Sequence, residues 1–124
     1  MKNIVLIGIG GFLGAICRYF IIILINSQNR YSFPFGTFTI NILGSLFLGF
    51  IIMFLINKPI LISFKDFLII GVLGSFTTFS AFSYEVYEML VNGNYKLSML
   101  YSLSSIVFSL ICISCGMFIA KQLS

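Results

Sequence analysis

Four apolar runs dominate this chain, at residues 4–25, 37–56, 67–90 and 97–120. Each comes close to the roughly 20 residues a helix needs to cross the hydrocarbon of a bilayer. The breaks between them carry turn chemistry: NSQNRYSFPFG at 26–36, NKPI with Pro59, and NGNYK at 92–96. None of these connections is long enough to hold a soluble domain, so residues 1–124 are expected to form a single transmembrane domain, all-α, with four spans. Charge agrees with this. Only 8% of the residues are charged and 60% are hydrophobic, whereas a soluble domain carries about 25% charged residues. The acids are Asp66, Glu85 and Glu88, and the bases are Lys2, Arg18, Arg30, Lys58, Lys65, Lys96 and Lys121. Apart from Arg18, all of them lie at or near the ends of apolar runs.

The first run follows Met1-Lys2-Asn3, which resembles the start of a signal peptide. It continues past signal-peptide length without a small-residue cleavage pattern, so it is expected to stay as the first span. With four spans, Lys2, Lys58, Lys65 and Lys121 fall on one side of the membrane and Arg30 and Lys96 on the other, with Arg18 near them. Four bases against three is a weak bias for the positive-inside rule, and insertion in both orientations is compatible with it. Cys112-x-x-Cys115 lies within an apolar helix in a chain with no histidine, which favours packing over metal or redox chemistry.

Several spans carry more polarity than crossing a membrane requires. In the first, Gly11, Gly14 and Arg18 share a helix face, and Gly10 and Gly14 fit the small-xxx-small rule for close helix contact. Arg18 either snorkels to the headgroups or lines a wet vestibule that concentrates anions. In the second, Thr37, Asn41, Gly44 and Ser45 form one small, polar stripe. Asn41 either glues the bundle through an interhelical hydrogen bond or offers its two amide N–H groups to a pore. In the fourth, Tyr101, Ser105 and Ser109 recur every four residues, either as a polar track or as serines bonded back to their own helix.

The third span holds LGSFTTFSAFSYE at 73–85. Gly74, Ser75, Thr77 and Thr78 lower helix propensity and compete for backbone bonds, which predicts a helix broken near the membrane midplane. Non-helical backbone is tolerated at that depth only when it is buried in protein or faces a cavity. Carbonyls freed there can coordinate a hard cation such as Na⁺. Phe79 and Phe82 follow on a common face, and the positive edge of a phenyl ring can meet an anion without offering it a charge.

These motifs resemble those of the Fluc (CrcB-type) fluoride channels of bacteria, over essentially the whole chain. The likeness rests on Gly11, Gly14, Ala15, Arg18 and Tyr19; on Gly36, Thr37, Asn41, Gly44, Phe47 (one place off the family spacing) and Gly49; and, most specifically, on Gly71, Gly74, Thr77, Thr78, Phe79, Ser80, Phe82, Ser83 and Glu85. The resemblance implies a fluoride-selective channel that relieves fluoride toxicity by passive export through the cell membrane. It also implies an antiparallel, dual-topology homodimer with two pores. A central structural Na⁺ would be held by backbone carbonyls matching Gly74 and Thr77. The fluoride path would be lined by Asn41, Thr78, Phe79, Ser80, Phe82, Tyr101, Ser105 and Ser109, with Arg18 at the vestibule. Ser75 departs from the glycine that many relatives carry, and it is small enough to leave the site intact.

Two other classes are weighed against this. A small multidrug exporter also has four spans, but proton-coupled cation export needs a membrane-embedded carboxylate, and the acids here fall toward span ends. A non-transporting membrane scaffold would explain the glycines and leave the polar rows unexplained. An enzyme is disfavoured by the lack of histidine and of any nucleophile–base pair.

Overall fold

The computed structural model describes residues 2–27, 33–56 and 62–123. Residues 28–32 of the first predicted connection, the connection around Pro59, and with them Arg30 and Lys58, lie outside the described residues. Among those described the chain is all helical, with four helices long and apolar enough to cross a membrane. The first two are α1 (Lys2–Asn26) and α2 (Phe35–Leu55). The third membrane-length segment is composite: α3 (Ile62–Lys65), a π-helical stretch (Asp66–Leu73), α4 (Gly74–Phe76) and α5 (Phe79–Val91). The last is α6 (Tyr95–Leu123).

Glycine sets how closely these helices approach. α1 lies along the π-helical stretch, and a Cβ at Gly10 would meet the Phe67 carbonyl at 2.6 Å and the Gly71 Cα at 3.1 Å. One turn on, a Cβ at Gly14 would run into the Val72 carbonyl. The Gly10–Gly14 pair therefore works as the small-residue rule anticipates, with main chain against main chain. α2 packs most extensively on α6, where Gly49 faces the Ile113 carbonyl and Gly116 faces that of Leu46. Apolar side chains still cover much of the outer surface. Phe12, Phe20, Leu100 and Phe118 are all more than half exposed, as lipid-facing residues are.

The turn between α5 and α6 has a clear cause. Asn92 caps α5, with its N–H donating to the Glu88 and Leu90 carbonyls, and Gly93 takes a left-handed φ of 77°. The Asn94 N–H then reaches back to the Met89 carbonyl at 2.8 Å. A glycine just past the last helical residue is the residue type that adopts this conformation without strain.

Candidate functional site

Between α4 and α5 two residues leave the helical region. Thr77 has φ −81° and ψ 158°, and Thr78 has φ −149° and ψ 117°, both extended. Both main-chain N–H groups there, and the Thr78 carbonyl, find specific partners. The Thr77 N–H and hydroxyl both donate to the Leu73 carbonyl, at 3.0 and 2.9 Å. The Asn41 side chain pairs with Thr78 as a strand neighbour would: its Nδ2 donates to the Thr78 carbonyl at 3.1 Å, and the Thr78 N–H donates to Oδ1 at 2.8 Å. Thr78 in turn caps α5 by accepting the Ala81 N–H on its hydroxyl oxygen at 3.2 Å. Gly44, one turn along α2 from Asn41, makes room for this segment, because a Cβ there would strike the Thr77 methyl.

In a continuous helix each carbonyl accepts from the N–H four residues on. The Thr78 N–H, which would serve Gly74, goes to Asn41, and the Ala81 N–H, which would serve Thr77, goes to the Thr78 hydroxyl. The carbonyls of Gly74 and Thr77 thus have their helical donors diverted.

Beside this segment lies an open cavity of about 470 Å³. Asn41, Gly74, Thr77, Thr78, Phe79, Phe82, Ser105 and Ser109 all line it, together with apolar residues such as Leu48, Leu73 and Leu110. Eight of the eleven expected site residues therefore meet in one place. Phe79 is 80% exposed on the open side, and its ring centroid lies 5.7 Å from that of Phe82. On α6, Ser102, Ser104 and Ser114 return their hydroxyls to their own helix at 2.8–3.2 Å. Ser105 does not: its Oγ is buried and has no hydrogen-bond partner among the described residues.

Arg18, Ser80 and Tyr101 do not line the cavity. Arg18 is half-buried on α1, and the exposed Ser80 hydroxyl lies 3.2 Å from that of Thr78. Tyr101 is fully buried and donates its hydroxyl to Glu85 Oε2 at 2.7 Å, while Thr37 donates to Oε1 at 2.6 Å. One carboxylate thereby ties α2, α5 and α6 together, and the Tyr101 ring also packs on Phe82 at 5.1 Å. Sequence reasoning placed Glu85 merely toward a span end. It is a half-buried interior group, and the signal that could have found it is its place on α5 one turn beyond Phe82, on the side that Phe82 turns toward Tyr101.

The comparisons with known proteins agree on one family. The description CrcB-like protein, Camphor Resistance (CrcB), matches residues 5–117. The chain is 41% identical to the fluoride-specific ion channel FluC of Clostridium perfringens over 95% of its own length and 93% of that protein's. It is 39% identical to the protein of the same name from Ruminiclostridium cellulolyticum over 100% and 96% of the two chains. With that of Campylobacter fetus it shares 42% identity over 93% and 91%. By the extent and level of these matches, the chain belongs to the CrcB-like family.

Proposed function

We propose that this protein is a fluoride-selective channel, a multi-pass protein of the bacterial cell membrane and not an enzyme, that lets fluoride leave the cell passively. The observation that carries this is the cavity: in a chain whose relatives are named fluoride-specific channels, it gathers weak donors of several kinds and no fixed cation. Fluoride is small and strongly hydrated, so a pore must replace its water with many modest partners, firm enough to admit it and loose enough to release it. Asn41 spends one amide N–H on Thr78 and keeps the other. The Ser105 hydroxyl is without a partner among the described residues, Ser109 lies one turn further on α6, and the edges of Phe79 and Phe82 add positive quadrupole ends. The N-terminus of α5 also opens at the cavity, presenting the positive end of its dipole. Glu85, held by Thr37 and Tyr101, braces the helices that carry these groups, and Arg18 serves as a basic vestibule residue.

The extended pair Thr77–Thr78 is the midplane break of the third span. The break also suits a cation: the carbonyls of Gly74 and Thr77, with their helical donors diverted, are hard oxygen ligands of the kind Na⁺ takes. When bound, Na⁺ supplies positive charge to these oxygens and fixes the backbone around them. It is structural and not carried. Two copies, antiparallel, complete the conducting unit, with the open side of each cavity closed by the other.

The test is efflux from liposomes. Vesicles holding the pure protein and potassium fluoride should release fluoride only when valinomycin lets potassium follow, and chloride should leak far more slowly. Rapid release without the ionophore, driven by a pH gradient, would show a coupled transporter instead.

A further inference from the structure

We infer that Asn41 acts on the cation site as well as on the anion path: by taking the Thr78 N–H, its side chain keeps the Gly74 carbonyl available as a ligand. This rests on the proposed Na⁺ site and adds a residue that touches no cation itself. The geometry is specific. The Asn41 amide meets both main-chain groups of Thr78, at 2.8 and 3.1 Å, and so replaces the bonds that a regular helix would make there. Without it, the Thr78 N–H is an unsatisfied donor in an apolar setting, and the nearest remedy is to re-form the helical bond to Gly74. That bond and a cation would compete for the same oxygen. Asn41 is in this sense a positioning residue, and it links the two ions: the same side chain that offers an N–H to the cavity keeps the Gly74 oxygen free for the cation.

The experiment measures thermal stability of the purified protein against sodium concentration, with N-methylglucamine replacing sodium at constant ionic strength. Fluoride efflux is followed in parallel. Asn41→Leu keeps the shape and removes both contacts; Asn41→Ser is too short to reach them and carries the comparison should the leucine variant fail to fold. Both should raise the sodium concentration at half-effect by about tenfold or more, the scale on which one buried main-chain group gains or loses its partner. Asn41→Asp keeps an acceptor for the Thr78 N–H and should hold the sodium midpoint within about threefold of the parent while losing flux with the amide donor. An unchanged midpoint in the leucine and serine variants, with flux lost, overturns the inference and leaves Asn41 as an anion donor only. A midpoint raised equally in the aspartate variant overturns it too, because the diverted N–H would then not be the cause. If the parent protein shows no sodium dependence at all, the cation site itself falls, and the inference with it.

Discussion

Phe79 and Glu85 show how differently two neighbouring residues can serve one cavity. The Phe79 ring stands at the open mouth, 80% exposed, while the Glu85 carboxylate is clasped between the hydroxyls of Thr37 and Tyr101. Replacing Phe79 or Phe82 by isoleucine keeps bulk and apolarity but deletes the ring edge. Taking a ring edge against an anion as comparable to an aromatic pair, about 0.5–1.5 kcal/mol, each variant should elute like the parent and lose about two- to tenfold in fluoride flux. Unaltered flux in both would reduce the rings to packing. For Glu85→Gln the expectation is chiefly structural. Two hydroxyls donate to two carboxylate oxygens, and an amide offers only one acceptor, so stability should fall by about 1–3 kcal/mol, read as a lower unfolding temperature. Tyr101→Phe should add little on top of it, because the two residues share one hydrogen bond. The sequence named both phenylalanines from their spacing. It hid the role of Glu85, because one-letter order shows neither which way a helix is turned nor which hydroxyls come from α2 and α6 to meet it.

The third membrane-length segment departs most from a regular helix. Its first half runs as a π-helix from Asp66 to Leu73, with the Gly74 N–H shared between the carbonyls of Gly71 and Ile69. This wider turn sits where α1 comes closest, at Gly10 and Gly14. Gly14→Leu should therefore be severe, since its Cβ would press on the main chain of Val72, which cannot move aside as a side-chain tip could. A loss of about 1–3 kcal/mol or more is expected for such overpacking, seen as aggregation on extraction or a much lower unfolding temperature. Gly8→Leu is the control: nothing lies within 4 Å of its Cβ position, and it should be nearly neutral. The four long helices were legible from the apolar runs, because length and composition alone decide what can cross a bilayer. The glycine pair on α1 was legible too, although its partner was not. The π-helix left no sign, since DFLIIGVL is apolar on every side after Asp66 and carries no period to measure. The extended Thr77–Thr78 step was foreshadowed by small and hydroxyl residues, but the side chain that satisfies Thr78 comes from another helix.

A single copy of this molecule leaves an open, largely apolar cavity, studded with a few polar groups, on a surface that must otherwise meet lipid. Gly74, exposed and with its carbonyl's helical donor diverted, lines it together with Asn41, Thr77 and Ser109. Hydrocarbon offers such groups no hydrogen bonds, and each left unmatched costs several kcal/mol, so irregular backbone within a bilayer needs protein or water against it. A second copy is the economical cover, because an identical cavity brings the same donors and the same apolar rim, and identical patches pair about a two-fold axis. In the proposed dimer, the direction of that axis would follow from charge. Parallel copies would need every chain to insert the same way, which calls for a decisive excess of bases on one side. On the topology expected from four spans, four bases would stand on one side against three on the other, which would leave both orientations accessible and let an axis lying in the membrane plane form. A tag at the C-terminus should then be reached by a membrane-impermeant reagent from both faces of the cell membrane, in comparable amounts. Adding two lysines beside Lys121 should push most chains into one orientation and, by starving the assembly of its opposite partner, lower fluoride efflux from intact cells. Co-expression with a copy biased the other way should restore it. Strict one-sided labelling of the parent protein, with efflux intact, would mean that the cavity is covered by a parallel partner or by a different chain.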